Sequence, residues 1–523
     1  MHKSKFKPAF LRNRDTALLL PVLIIGALIL LSGFSFLIIF DDTINPFKQM
    51  YLMPWVVLLG IVIAAPNVYL IYKGRFNFFH PLVFAAWSYF IPAFFVGGLL
   101  LAAGLSQPFY LTFVEDERYN LPLTFVYIIL GYGGLTIGFF LPYGKKIADK
   151  VNTRLPVWDW KPQNIYFPGI LLLFIGIGNS IIAFGLGILG YQKVDAIGAY
   201  DGLIFLLTLL WLEASFLLWL SVFRNKTYNI THVLIIVLIL ATSLTKSAFQ
   251  GNRGSLFQLF ILIACAFILS GRRIEIRHRV FGACLLVLAI VIGMIYGTTF
   301  RNVKQTEARI GIEEYTENIG QTFDKLLDQD LTDNLSEGIS ALTERIEGVS
   351  SVAVVVSNYE KLEPFEESYG LKNNILIDSI YFFIPRPLWK DKPVGSEPRK
   401  YADLYFNYSE NSFAITPMGD LLRNFGPVGV PLGMMLLGFI LRIIYVSLIE
   451  NQKFSFWRTT LFYMLLTSVS YEGFYGTIIP YMIKYGFISV VGIVLIWFFQ
   501  PKAIKTIQVS NEKTYLMNPL FKS

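Results

Sequence analysis

Two arginines stand where their neighbours could make them do chemistry. Arg253 lies in Gly251-Asn252-Arg253-Gly254-Ser255, a tight connection between two apolar segments. Gly251 and Gly254 let the chain turn sharply and let backbone approach a ligand. Ser255 can cap the helix that follows, whose first N–H groups carry partial positive charge. A guanidinium beside that end suits phosphate or pyrophosphate. The plainer account is an ordinary exposed arginine in a short loop. Arg386 belongs to a second basic stretch, Tyr381 to Pro393, which reads YFFIPRPLWKDKP. Arg386, Lys390 and Lys392 could neutralise part of the same anion. Trp389, with Tyr401 and Tyr405 downstream, offers flat faces of the kind sugars pack on. Here the plainer account is a proline-stiffened surface loop with solvated charges.

Such a site also needs a proton acceptor. Asp391, Asp403, Asp420 and Glu472 are the available carboxylates on that side of the chain, although any one of them is more often a paired or solvated acid. The four histidines, His2, His80, His232 and His278, all fall beside the opposite, basic loops.

Membrane helices must position these residues. Of 523 residues, 54% are hydrophobic and 15% charged, against about 25% charged in a soluble domain. The apolar residues come in blocks of about 20, the length that crosses a bilayer as a helix. The fold class is therefore all-α and polytopic. About twelve spans are expected, at residues 16–40, 51–72, 81–105, 121–142, 166–189, 203–223, 230–249, 255–270, 280–300, 426–448, 459–474 and 480–499. The first block lacks a small-residue cleavage site and reads as a retained helix. Residues 470–486 read either as part of a longer helix or as a re-entrant piece.

Charge fixes the expected orientation. Lys3, Lys5, Lys7, Arg12 and Arg14 precede the first span, and Lys502 and Lys505 follow the last. Lys73 and Arg75, Lys145 to Lys161, Arg224 and Lys226, and Arg272 to Arg279 fill alternate loops. Basic loops stay in the cytoplasm, so both termini are expected there. The net charge of +8 is then a membrane feature, and no nucleic-acid partner is implied. The layout is a membrane part at 1–300 with nine spans, an extracytoplasmic loop at 301–425, a second membrane part at 426–500 with three, and a cytoplasmic tail at 501–523. The loop holds thirteen basic and twenty-one acidic side chains and is far longer than an ordinary connection. Apolar residues at helical spacing over 310–359 predict surface-lying helices within it. Cys265 and Cys284 sit in apolar segments and make no metal or disulfide pattern. Glu213, Lys246 and Arg442 are charges inside spans. Lys246 and Arg442 can snorkel to an interface, while Glu213 must either support the site from below or pair with a polar helix neighbour.

Three stretches carry a resemblance. Gly251-Asn252-Arg253-Gly254 resembles the Gly-Ser-Arg-Gly turn of Wzy-type oligosaccharide repeat-unit polymerases, the O-antigen and surface-polysaccharide polymerases. Pro385 to Pro393 resembles their Pro-Arg-x-x-Trp-x-x-Lys-Pro segment. Phe425-Gly426-Pro427-Val428-Gly429 looks like the Phe-Gly-x-x-Gly that opens their next span. The matches come in the family's order and span about half the chain. Asn252 replaces the usual Ser, and Pro387 and Lys390 depart from the common pattern, which leaves substrate detail open.

The resemblance implies a glycosyltransferase of the plasma (inner) membrane. It would pass a growing glycan from polyprenyl pyrophosphate to a new lipid-linked repeat unit at the outer face. Arg253 and Arg386 would hold the pyrophosphate, with Arg301 or Arg423 assisting and Lys392 and Trp389 completing the binding site. Asp391, Asp420 or Glu472 would deprotonate the acceptor hydroxyl. Arginines can stabilise the leaving charge directly, so no metal or other cofactor is expected. The partners implied are the lipid-linked glycan and the bilayer, with a chain-length regulator and a flippase as candidate protein partners. The rivals are an O-antigen ligase, which relies on an outer-side histidine, a lipid-linked oligosaccharide transporter or flippase, and a non-enzymatic scaffold. The topology predicts that cysteines placed at Asn252 and Ser396 react with an impermeant reagent added outside intact cells. Protection of both positions would remove the basis of an outer-face site.

Overall fold

The computed structural model describes residues 48–499, except 107, 192–197, 199, 226–228, 253, 273–274, 306–308, 329–346, 385, 390–391, 393–395, 409–412 and 414. The expected first span and the tail lie outside the described residues. The rest is helical, and no strand occurs among the described residues.

In chain order the helices are α1 (Met53–Tyr72), α2 (Pro81–Ala102), α3 (Glu117–Phe140), α4 (Pro142–Asn152), α5 (Pro162–Gly185), α6 (Asp201–Arg224), α7 (Ile230–Gln250), α8 (Ser255–Leu269) and α9 (Ile276–Lys304). Next come α10 (Ile312–Asp328), α11 (Val349–Glu366), α12 (Asn374–Tyr381) and α13 (Pro398–Phe406), and finally α14 (Thr416–Leu448), α15 (Phe456–Thr467) and α16 (Tyr475–Phe498). Among the described residues nine helices are long and apolar enough to cross a membrane: α1, α2, α3, α5, α6, α7, α9, α14 and α16.

Two further expected spans are shorter than their apolar runs suggested. Helix α8 has 15 residues. Helix α15 has only 12 and stops at Thr467, about 18 Å at 1.5 Å per residue. Residues 468–474 then run non-helically, with Tyr471 and Phe474 buried. Irregular backbone at membrane depth needs protein around it, and the Glu472 carbonyl accepts from the Thr416 N–H at 3.1 Å. Helix α16 begins only at Tyr475 and runs unbroken through residue 486, so of the 470–486 stretch all but the first five residues belong to a longer helix.

Glycines bring α3 and α14 into close contact. A Cβ on Gly138 would lie 1.9 Å from the Met435 carbonyl oxygen, and one on Gly438 would lie 2.0 Å from that of Leu135. Those are backbone atoms and cannot swing aside. Small residues at such crossings replace the hydrophobic driving force that lipid does not supply. Within α14, Gly426 takes φ 68° and ψ −168° and breaks the helix in two. The break coincides with the expected start of the tenth span, so residues 416–425 form a separate short helix on top of it.

The segment between α9 and α14 departs from the expectation of surface-lying helices. Helix α10 fits it: Tyr315 and Ile319 bury one face against Tyr296 and Phe300 of α9. Helix α11 does not. Val349 to Val356 are all buried, packed against α3 and α14. A run of Val, Ser and Ala apolar on every side is a buried helix rather than an amphipathic one. Its start is closed by Glu347, whose carboxylate accepts from the N–H groups of Val349 at 2.7 Å and Ser350 at 2.9 Å, and Gly348 donates to the Ala93 carbonyl of α2 at 3.0 Å.

Gly138→Ala is expected to destabilise the protein by about 1–3 kcal/mol through overpacking. Gly133→Ala, on the open face of the same helix, is expected to be neutral or slightly stabilising. Thermal unfolding in detergent checks both, and equal effects would refute the close-contact account.

Candidate functional site

A buried ion-pair network lies where α11, α12, α14 and α16 meet. Asp420 and Arg423 are three apart on the first part of α14 and pair at 2.9 Å. Arg423 also pairs with Glu366 at the end of α11 at 3.0 Å. It donates further to the Leu371 carbonyl at 2.9 Å and to Asn374 at the start of α12. Asp420 accepts from Asn374 at 3.1 Å, Asn424 at 3.1 Å and the Gly476 N–H of α16 at 3.1 Å. Glu366 accepts from the Tyr405 hydroxyl at 3.0 Å. Burial pushes the Glu366 carboxyl up, and the Arg423 guanidinium acts against that shift. The Asp420 side chain is 0% exposed and that of Arg423 1%.

The network continues toward the basic stretch. Asn374 donates to the Ser396 hydroxyl at 2.7 Å. Ser396 in turn donates from its N–H, at 3.1 Å, and from its hydroxyl to Asp378 on α12. Burial raises the Asp378 carboxyl above the usual carboxylate range. Around Asp378 stand Lys392 and, from α16, Lys484. Arg386 is close enough to Lys392 that it and burial lower the lysine's pKa together. Lys392 donates to the Ile384 carbonyl at 2.9 Å. Trp389 packs edge-on against Tyr381 at 4.8 Å.

The sequence-derived residues therefore separate. Arg386, Trp389 and Lys392 come together, partly exposed, with Lys392 near Lys484 of α16. Arg423 and Asp420 are consumed in the buried network, one layer beneath. Glu472 sits in the 468–474 break, exposed, four residues before the Gly476 that Asp420 holds. Asp403 faces Tyr369 on the far side of α13. Asp391, Lys390 and Arg253 lie outside the described residues. Tyr401 and Tyr405 cannot present faces to a sugar: they are 0% and 3% exposed and stack on each other at 4.7 Å.

The turn around Arg253 belongs to a different neighbourhood. Gly251 ends α7 at φ 58°, and a Cβ there would meet the Phe300 ring at 2.4 Å. Gly254 has an ordinary backbone angle and open space beside it, so only the first glycine is required. The Ser255 hydroxyl does not cap α8; it donates to the Asn252 carbonyl at 3.2 Å. Asn252, Ser255 and Ser247 are polar residues lining a cavity of about 370 Å³, whose other walls are mainly apolar side chains of α7, α8, α9 and α10, such as Leu244, Ile292, Tyr296 and Phe323. Arg301, five residues past Tyr296 on α9, lies over the Tyr191 ring at 4.6 Å.

The isolated membrane charges are also placed. Lys246 lies over the Trp211 ring at 4.0 Å. Arg442 pairs with Glu450 at 2.9 Å. Glu213 is fully buried and accepts from Ser489 of α16 at 3.1 Å. The three described histidines sit at helix starts: His80 before α2, His232 in the first turn of α7 and His278 in that of α9.

Sequence reasoning missed Glu366, Asn374, Asp378, Ser396 and Lys484. Only Lys484 carried a readable signal, as a lone charge inside the last apolar run. The others are ordinary polar residues until the fold joins them.

Residues 171–504 match the family model described as a domain of unknown function, DUF8712, and the chain belongs to that family. No curated protein and no solved structure matches it.

If Arg423 is structural, Arg423→Met strands two buried carboxylates and should cost about 3–5 kcal/mol of stability. Arg386→Met should leave the thermal midpoint unchanged. A wild-type midpoint for the Arg423 variant would return that residue to the list of free substrate ligands.

Proposed function

We propose that this member of the DUF8712 family polymerises polyprenyl-pyrophosphate-linked oligosaccharide repeat units into a surface polysaccharide. The reaction is glycosyl transfer at the outer face of the plasma membrane, by a chain of twelve spans with both termini cytoplasmic. The observation that carries the reading is the gathering of Arg386, Trp389 and Lys392 in one short stretch, with Lys392 near Lys484 of α16, a helix apolar enough to span. A lipid-linked sugar pyrophosphate needs cations and an aromatic face at the membrane surface, which is what that place offers.

In the reaction an acceptor hydroxyl attacks the anomeric carbon of the growing chain. The bond from that carbon to the pyrophosphate oxygen breaks, and lipid pyrophosphate leaves with the electron pair. Arg386 and Lys392 stabilise the charge that develops on it. A carboxylate takes the hydroxyl proton. Glu472, exposed beside the network, suits that task better than Asp420, whose oxygens already accept from Arg423, Asn374, Asn424 and Gly476. Asp420 and Arg423 then act as positioning residues beneath the basic stretch.

A transporter of the same lipid-linked glycan is the second reading. The half-length α15 and the buried break at 468–474 favour it, because transporters build substrate sites from interrupted helices. The ligase reading needs an outer-side histidine, and His80, His232 and His278 all stand at helix starts beside the basic loops.

One deletion strain separates these readings by its surface glycan. Loss of a polymerase leaves single repeat units at the surface, loss of a flippase leaves none, and loss of a ligase leaves long chains still on the lipid carrier. Single repeats are expected, with the same pattern for Arg386→Ala. Purified protein should lengthen lipid-linked repeats in the presence of a chelator. Wild-type chain lengths in the deletion strain would refute the proposal.

A further inference from the structure

Helix α16 carries a cation that the proposed reaction has not used. Lys484 lies nine residues past Tyr475, the first residue of the helix, about 14 Å along its axis. A lysine within a spanning helix is costly and is normally paired or turned to a cavity or interface. No ion pair or hydrogen bond from Lys484 occurs among the described residues. Its ammonium lies over Phe382 at 5.5 Å and over Tyr481 at 5.3 Å, which offsets only part of that cost.

The charges around it do not balance. Lys484 feels Lys392 and Asp378, and Lys392 feels Arg386 and Asp378. Among the described residues Asp378 is the carboxylate that both lysines feel, and it already accepts both hydrogen bonds from Ser396. Arg386 forms no ion pair among the described residues either. Like charges this close repel, and a multiply charged anion seated among them would relieve the repulsion. The flank of the cluster is apolar and open: Ile380 is 62% exposed, Phe383 68% and Leu388 81%. A patch of this kind beside a spanning helix faces lipid more comfortably than water.

Resting on the polymerase reading, we infer that Lys484, Lys392 and Arg386 form one binding site for the pyrophosphate of a membrane-embedded lipid. Lys484 sets the depth of the site, so that an anion carried on a lipid reaches all three cations from the bilayer side. A free pyrophosphate arriving from water gains the charges but not the apolar flank. Lys484 is therefore a specificity residue, selecting lipid-borne over soluble pyrophosphate.

The test uses full-length protein in lipid nanodiscs and two probes, geranylgeranyl pyrophosphate and inorganic pyrophosphate, with affinities from calorimetry. The wild type should bind the lipid probe at least about tenfold more tightly than the inorganic one, and Lys484→Ala should lose about tenfold for the lipid probe, where each tenfold is about 1.4 kcal/mol. Lys484→Arg should keep most of the affinity. Arg386→Gln, on an exposed segment where folding is not at stake, should lose affinity for both probes. Unchanged lipid binding in Lys484→Ala, equal wild-type affinity for the two probes, or no binding of either would each overturn the inference. Binding as expected in a protein whose deletion leaves long surface chains would overturn the polymerase reading and leave the lipid-pyrophosphate site standing.

Discussion

The pairing of Arg423 with Asp420 and Glu366 is the constraint on which the upper part of this protein depends. The guanidinium reaches α11 through Glu366, α12 through Asn374 and its own helix through Asp420. Asp420 adds α16 by holding the Gly476 N–H. Four chain segments, up to 110 residues apart in sequence from Glu366 to Gly476, therefore meet at one charge cluster. Burying such a cluster gains little net stability over apolar packing, but leaving any member unpaired is expensive. What the cluster supplies is register. Asn374 is gripped by both Arg423 and Asp420, and through Ser396 and Asp378 that grip extends to the stretch bearing Arg386 and Lys392.

The membrane elements were largely legible in the sequence because their cause is local. An apolar run of about 20 residues has one low-energy form in lipid, so Met50–Tyr72, Glu117–Phe140 and Asp201–Arg224 fall close to where hydropathy puts them. Even the break at Gly426 is marked by Gly426-Pro427. The errors have a common origin. Val349 to Val356 falls in the 310–359 stretch where helical spacing with acids in the gaps predicts surface helices, yet this run carries no acid, and only the presence of α3 and α14 beside it decides that it is buried. The 468–474 break likewise depends on the Thr416 N–H donating to the Glu472 carbonyl from 56 residues away in the chain.

The site was legible only as chemistry and not as geometry. Arg386, Trp389 and Lys392 lie within seven residues of one another, so their proximity is guaranteed by the chain. Arg253 and Arg386 were joined in the same clamp because both are basic residues expected at one face. The fold gives their neighbourhoods different walls: Asn252 and Ser255 line a cavity among α7 to α10, whereas Arg386 stands near Lys392, which in turn is near Asp378 of α12 and Lys484 of α16. Arg423 shows the opposite failure. An arginine three residues after an aspartate on one helix face is a local pair waiting to form, and that signal favoured structure over catalysis from the start.

Pairing then gives a way to divide the charges of this protein by role. Where Arg423 and Arg442 meet carboxylates, the electrostatic demand is met inside the fold and nothing remains for a ligand. Lys484 and Arg386 meet none among the described residues, and Lys392 meets only a backbone carbonyl. Asp378, the carboxylate that both lysines feel, hydrogen-bonds Ser396 rather than either of them. By committing Asp378 to a neutral partner, the fold orients the basic stretch without discharging it. Helix α16 serves both arrangements, with Gly476 fixed to the paired network and Lys484 turned toward the unpaired one two turns further into the helix. The paired charges hold the wall, and the unpaired ones on it remain available to an anion.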